Sequence, residues 1–228
     1  MRVRIKVCGI TRAEDARAAV DLGVDALGFN FVPSSPRRID PEAARRIIAD
    51  LPPLVVKVGV FADATALEIE GVARDTGLDV VQLHGDESPE ACALLGVPWY
   101  KAFRVDDRFR PEDAIRYGRA LFLLDGHRPG ALGGTGRTFD WSLARRAAAH
   151  GRVILAGGLG PGNIEAAIDA ARPFAVDVNS GVESSPGIKD AALLERLCAR
   201  VARACARAIG DAGGGATVPG GAAAAEGA

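Results

Sequence analysis

With 228 residues, 48 % of them hydrophobic, and a formal net charge of −1, the chain can bury roughly 70 % of its unfolded surface as a soluble globular protein. That balance gives no electrostatic case for nucleic acid or a membrane surface, and the amino terminus lacks the continuous apolar run of an export signal or membrane span. The four cysteines, Cys8, Cys92, Cys198 and Cys205, show no CxxC or paired spacing, which argues against zinc and disulfides and for a reducing cytoplasm.

Short β-branched runs recur along the chain, each followed by a turn or capping residue and then a helical pattern. Strands are predicted at 3–8, 26–31, 55–61, 79–84, 99–104, 121–125, 152–156 and 175–179. Helices are predicted between and after them, at 12–22, 41–50, 65–76, 88–95, 111–118, 141–149, 161–171 and 189–208. Eight βα units at about 25-residue spacing read as parallel strands with crossover helices. They fit an α/β fold of one domain, a (β/α)8 TIM barrel over residues 1–209, better than an open doubly wound sheet of five or six units. Asp21-Leu22-Gly23-Val24-Asp25 and Asp75-Thr76-Gly77-Leu78-Asp79 echo one another, each carrying a helix through a glycine stop into a strand. In the last helix Leu194, Leu197, Val201, Cys205 and Ala208 fall at helical spacing, with Cys198 and Cys205 expected as small buried apolar groups. Residues 210–228, mostly glycine and alanine, read as a disordered tail.

Strand side chains alternate, so each strand can be sorted into a face against the helices and a face toward the bore. The polar parity, taken as inward, holds Arg4, Lys6 and Cys8 on the first strand, Gly28 and Asn30 on the second, and Lys57 and Gly59 on the third. It continues with Gln82 and His84, then Lys101, Asp125, and finally Asp177 and Asn179. Cys8, Asn30, His84, Asp125 and Asn179 sit at carboxyl ends, where a barrel carries its chemistry. The lysines read as a charge network balancing Asp125 and Asp177, and cations below the thiol would still favour thiolate at Cys8. His84 suits acid–base work by its pKa, or a hydrogen-bonded positioning role.

Three successive loops are rich in glycine: Gly133-Gly134-Thr135-Gly136, Gly157-Gly158-Leu159-Gly160 and Asn179-Ser180-Gly181. Backbone N–H groups at such helix entrances converge on anions, and the last three loops of a barrel are its usual phosphate site. The loop Pro33-Ser34-Ser35-Pro36-Arg37-Arg38 is stiffened by two prolines and offers an arginine suited to a carboxylate. No Walker or Rossmann glycine pattern is present in context.

With these residues placed, the sequence resembles the phosphoribosylanthranilate isomerases of tryptophan biosynthesis. The resemblance is carried by KVCGIT at 6–11, GFNFVPSSPR at 28–37, VGVF at 58–61, QLHG at 82–85, LLD at 123–125, GGTGRTFDW at 133–141, GGL at 157–159 and VDVNSGVESSPGIKD at 176–190. It implies a TIM barrel that performs an Amadori rearrangement without cofactor or metal. N-(5-phosphoribosyl)anthranilate becomes 1-(2-carboxyphenylamino)-1-deoxyribulose 5-phosphate, with Cys8 as general base and Asp125 as general acid. It assigns Arg37 to the anthranilate carboxylate, and Gly133, Gly134, Gly157, Gly158, Asn179, Ser180 and Gly181 to the phosphate end. His84, Asp177 and Asn30 are substrate-binding candidates; the role of Asn30 stays open, because the resemblance puts an aliphatic residue there. Asp177 either raises the pKa of Asp125 or pairs with a lysine. The implied setting is cytoplasmic, as monomer or homodimer, with a small phosphorylated substrate as partner. A histidine-pathway aminoaldose isomerase, which generally has an acidic residue in place of Cys8, and a non-catalytic phosphate-binding barrel are the alternatives.

Overall fold

The computed structural model describes residues 2–106, 108–126 and 140–213, with side chains to residue 208. Eight parallel strands close in chain order: β1 (Arg4–Val7), β2 (Ala26–Asn30), β3 (Val56–Phe61), β4 (Val80–Leu83), β5 (Trp99–Arg104), β6 (Leu121–Asp125), β7 (Arg152–Ala156) and β8 (Ala175–Val178). β8 returns to pair with β1, Lys6 lying opposite Asp177. The barrel expected from the repeat is therefore present. Between strands run α1 (Ala13–Asp21), α2 (Pro41–Ala49), α3 (Ala66–Thr76), α4 (Pro89–Ala93), a 3-10 helix (Pro111–Tyr117), α5 (Trp141–Ala147) and α6 (Ile164–Ala171). The closing helix α7 (Ala191–Gly213) runs past residue 209, and the rest of the expected tail lies outside the described residues. Among the described residues, no helix is long and apolar enough to cross a membrane.

Local chemistry starts these helices where they start. Asp40 caps α2 by accepting from the Glu42 N–H at 2.9 Å, with Pro41 at the first helical position. Thr65 and Glu68 form a reciprocal capping box on α3, and Gly77 ends that helix in the left-handed conformation. The sequence echo has a further purpose. Asp25 Oδ2 accepts from the Ile5 N–H at 2.9 Å, and Asp79 Oδ2 from the Lys57 N–H at 2.8 Å. Each aspartate thus ties the start of its own strand to the start of the one before.

Two apolar layers hold the barrel. The outer layer packs Leu27, Phe29, Phe122 and Leu124 against helix residues such as Ala44, Ile168, Leu194 and Leu197. The bore is filled by Val58, Tyr100, Ala102, Leu123, Ile154 and Ala175. Cys198 and Cys205 are partly buried against the outer layer, and Cys205 Sγ accepts from the Val3 N–H at 3.2 Å.

Four inward assignments, those of Arg4, Lys57, Gly59 and Lys101, need correction. On β3 it is Val58 that fills the bore; Lys57 pairs outside with Asp79 at 2.8 Å, and the open side of Gly59 is taken by Leu78. On β5 Tyr100 and Ala102 face inward, while Lys101 is buried under the loop after β4. Its Nζ donates to the Leu83, Gly85 and Ala102 carbonyls and pairs with Glu87 at 3.1 Å. Arg4 is exposed at the opposite end and stacks 4.3 Å over the Phe174 ring. Lys57 and Lys101 each find a partner outside the bore, so polarity alone gave the wrong face on β3 and β5. The loop after β8 also carries structure the periodicity did not show: a short antiparallel hairpin of β9 (Glu183–Ser185) and β10 (Ile188–Lys189).

Candidate active site at the carboxyl mouth

Cys8 follows the last residue of β1, its N–H donating to the Val178 carbonyl at 2.8 Å. Below it Lys6 Nζ donates to Asp177 Oδ2 at 2.7 Å, with the two side chains 4 % and 7 % exposed. Gly28 makes this packing possible. A Cβ there would lie 2.8 Å from Cys8 Sγ and 3.2 Å from Lys6 Cε.

The electrostatics of this group oppose one another. Burial works against the Lys6 charge, but Asp177, with smaller pulls from Cys8 and Tyr100, holds the ammonium above the ordinary lysine range. Burial pushes the Cys8 thiol up, against the pull of Lys6 and Lys189, and Asp177 adds to the rise. The depression expected from cations beneath the thiol is thus present as a pull, but burial outweighs it. Burial also pushes Asp177 up against Lys6, and the nearby charge of Asp125 acts in the same direction. Asp177 Oδ1 has no hydrogen-bond partner among the described residues. That leaves a buried acceptor in the middle of the polar group.

Across the bore, four residues form a line. The Tyr100 hydroxyl donates to Gln82 Oε1 at 2.9 Å, Gln82 Nε2 stands 3.0 Å from His84 Nδ1, and His84 Nε2 stands 3.4 Å from Asp125 Oδ2. Asp125 ends β6 and His84 follows β4, so both sit at the carboxyl rim.

At the rim above β1 and β8 lies a second ionic cluster. Arg37 donates through Nε and Nη2 to the Glu183 carboxylate, at 2.7 Å for the shortest contact. Lys189 Nζ donates to the same carboxylate at 2.8 Å and to Asn179 Oδ1 at 3.0 Å. Arg37 and Lys189 hold Glu183 below the usual carboxylate range despite its burial. Arg37 crosses directly over Gly9, which has φ +72° and where a Cβ would come 2.9 Å from Arg37 Cδ and 2.8 Å from Asn179 Oδ1. Asn30 is occupied locally, its Oδ1 accepting from the Val32 N–H at 2.9 Å.

The loops after β7 and β8 meet backbone to backbone. A Cβ on Gly181 would fall 2.1 Å from the Leu159 carbonyl oxygen, and one on Gly157 would come 2.8 Å from Asp125 Oδ1. Gly158 opens onto free space on its Cβ side, and Ser180 begins a 3-10 turn to Val182. The Asn163 carboxamide braces this region, accepting from the Gly160 N–H and donating to the Gly158 carbonyl, each at 2.9 Å. Gly133 and Gly134 lie outside the described residues.

The structure brings Cys8, His84, Asp125 and Asp177 to one mouth and places Arg37, Asn179 and the described glycine loops around it. Sequence reasoning missed Tyr100, Glu183 and Lys189 as members. Tyr100 was hidden behind the apparent inward Lys101, whereas Glu183 and Lys189 were in view within the ESSPGIKD run but read as loop. A cavity of about 380 Å³ between the loops after β2 and β3, lined by Phe31, Arg38, Phe61 and Asp63 among others, holds none of the mouth residues. Among the described residues, no group of three or more His, Cys, Asp or Glu side chains is placed to hold a metal ion.

Residues 5–200 match the family described as N-(5'phosphoribosyl)anthranilate (PRA) isomerase. The chain is 50 % identical to the N-(5'-phosphoribosyl)anthranilate isomerase of Geobacter metallireducens over 198 residues, 87 % of this chain and 98 % of the relative. It is similar to the crystal structure of phosphoribosyl anthranilate isomerase from Thermotoga maritima, with TM-score 0.83, 45 % identity, and 88 % and 99 % of the two chains covered. A second similar structure, at TM-score 0.80 and 42 % identity over 88 % of this chain and 99 % of the other, is a phosphoribosyl anthranilate isomerase in complex with reduced 1-(o-carboxyphenylamino)-1-deoxyribulose 5-phosphate.

Proposed function

The chain belongs to the N-(5'-phosphoribosyl)anthranilate isomerase family of tryptophan biosynthesis and isomerises that substrate, and on that premise we propose that Asp125 and Cys8 divide the proton transfers. The Asp125 carboxyl gives its proton to the furanose ring oxygen, the C1–O bond breaks, and a cationic Schiff base forms at C1. Cys8 as thiolate then takes the C2 proton. The electron pair of that C–H bond neutralises the iminium and leaves an enolamine, which tautomerises to the ketone.

The observation that carries this reading is geometric: Cys8 packs against the buried Lys6–Asp177 pair, and Asp125 faces His84, at the same carboxyl mouth. Lys6 and Lys189 both pull the buried thiol toward thiolate. The iminium formed after ring opening adds positive charge, which favours thiolate further. For the first step Asp125 needs its proton. The orphan Oδ1 of Asp177 suits a substrate hydroxyl.

Arg37, braced by Glu183, is our candidate for the anthranilate carboxylate, and Gly157, Gly158, Ser180 and Gly181 for the phosphate. We extend the phosphate grip to Gly133 and Gly134 on the sequence alone. A reducing cytoplasm is the setting the four free cysteines favour. The test is Asp125→Asn. Turnover should fall about 10²–10⁴-fold, the range for removing a general acid, with reduced product still bound. Retained turnover would remove Asp125 from the acid role.

A further inference from the structure

We propose that Tyr100 and Gln82 are positioning residues that lock His84 in a single tautomer, with its Nε2–H aimed at the Asp125 carboxyl. The inference rests on reading Asp125 as the acid. Its structural basis is the unbroken order of donors and acceptors from the barrel floor to the rim.

Tyr100 and Gln82 are 2 % and 1 % exposed, so water does not compete for their polar atoms. Burial pushes the Tyr100 phenol up, so it keeps its proton, and the hydrogen-bond geometry directs that proton at Gln82 Oε1. Its hydroxyl meets Gln82 Oε1 at 2.9 Å, which fixes the acceptor end of the carboxamide and turns the NH2 end to His84 Nδ1 at 3.0 Å. An NH2 group only donates, so Nδ1 must accept, and the proton of the neutral ring sits on Nε2. That nitrogen stands 3.4 Å from Asp125 Oδ2, a separation that can tighten once substrate is bound.

The consequence is chemical. When Asp125 passes its proton to the ring oxygen, negative charge develops on its carboxylate. A pre-aimed Nε2–H stabilises that charge with no reorganisation at the moment of transfer. The proton goes from Asp125 to the substrate, and His84 neither gives nor takes one. The other tautomer would present a lone pair to Asp125 and capture the acid's proton.

The test combines ¹⁵N NMR of His84 in the intact enzyme with steady-state kinetics of Gln82→Glu and Tyr100→Phe. In the wild type the expected spectrum shows a bare Nδ1 and a protonated Nε2. Gln82→Glu keeps the side-chain shape but replaces the donor by an acceptor. It should move a proton onto Nδ1 and lower kcat about tenfold to a hundredfold, as for a small misplacement of a reacting group, while KM stays within about twofold. Tyr100→Phe removes one hydroxyl, so it tests the same relay if the glutamate variant folds poorly; it should give a mixture of tautomers and a smaller loss of kcat. A wild-type Nδ1–H form, or an Nδ1 that stays bare in Gln82→Glu, overturns the proposal. So does a changed tautomer with unchanged kcat. The spectrum needs no turnover, so a fully active Asp125→Asn enzyme would sink the acid reading while leaving the tautomer result to be judged on its own.

Discussion

Replacing Lys6 with methionine removes the ammonium that lies 2.7 Å from Asp177 Oδ2, on a carboxylate whose Oδ1 already lacks a hydrogen bond among the described residues. Breaking one side of a buried pair strands the other charge, a loss of about 3–5 kcal/mol. Lys6 is also the largest of the charges pulling the Cys8 thiol down. A close opposite charge shifts a pKa by about 1–3 units, each unit a tenfold change in ionised fraction. Removing it raises the thiol further, so the acidic limb of the kcat/KM profile should move to higher pH by about one unit or more. Urea unfolding at neutral pH gives the stability loss, and the pH–rate profile gives the shift. Adding Asp177→Asn should recover most of the stability and move the limb part of the way back, because Asp177 itself raises the Cys8 pKa. A Lys6→Met enzyme within about 1 kcal/mol of wild type, with an unmoved limb, would refute the reasoning.

Gly28→Ala pushes a methyl group to 2.8 Å from Cys8 Sγ; kinetics should show a lower kcat, and unfolding a loss of about 1–3 kcal/mol from overpacking. Glu183 has its folded pKa lowered by Arg37 and Lys189, so its stabilising effect is present above the unfolded value of about 4.3 and is lost as pH falls through the folded one. The melting temperature of Glu183→Gln should therefore trail wild type at neutral pH, and the gap should narrow in acid. In the same variant Arg37 loses its brace, and KM for substrate should rise more than kcat falls. Inorganic phosphate at millimolar levels should raise KM competitively if the glycine loops hold the phosphate.

Periodicity made the barrel legible, because alternating short β-branched runs and capped helices have few other ways to bury their apolar faces. The inward-facing polar set of Cys8, His84, Asp125 and Asp177 was legible for a related reason. Their polarity interrupts a parity that is otherwise apolar, and in these strands the polar atoms do converge. The same rule misplaced Lys57 and Lys101. Lys57 finds Asp79 on the outside, and Lys101 finds backbone carbonyls and Glu87 beneath a loop. A buried lysine with a private partner looks, in sequence, like one facing a shared bore. Tyr100 was lost with Lys101, since assigning one parity inward sends its neighbour out. The hairpin that brings Glu183 to Arg37 involves residues 146 apart in the chain, a closure that no local pattern encodes.

The base assignment is tested by Cys8→Ala, assayed with substrate carrying hydrogen or deuterium at C2. Cys8 lies at the buried end of β1, and alanine keeps the backbone bond to Val178, so the variant should fold, as circular dichroism can verify. If Cys8 removes the C2 proton, ring opening persists while product formation falls by about 10²–10⁴-fold. Near wild-type turnover with an unchanged isotope effect would show that another group takes that proton.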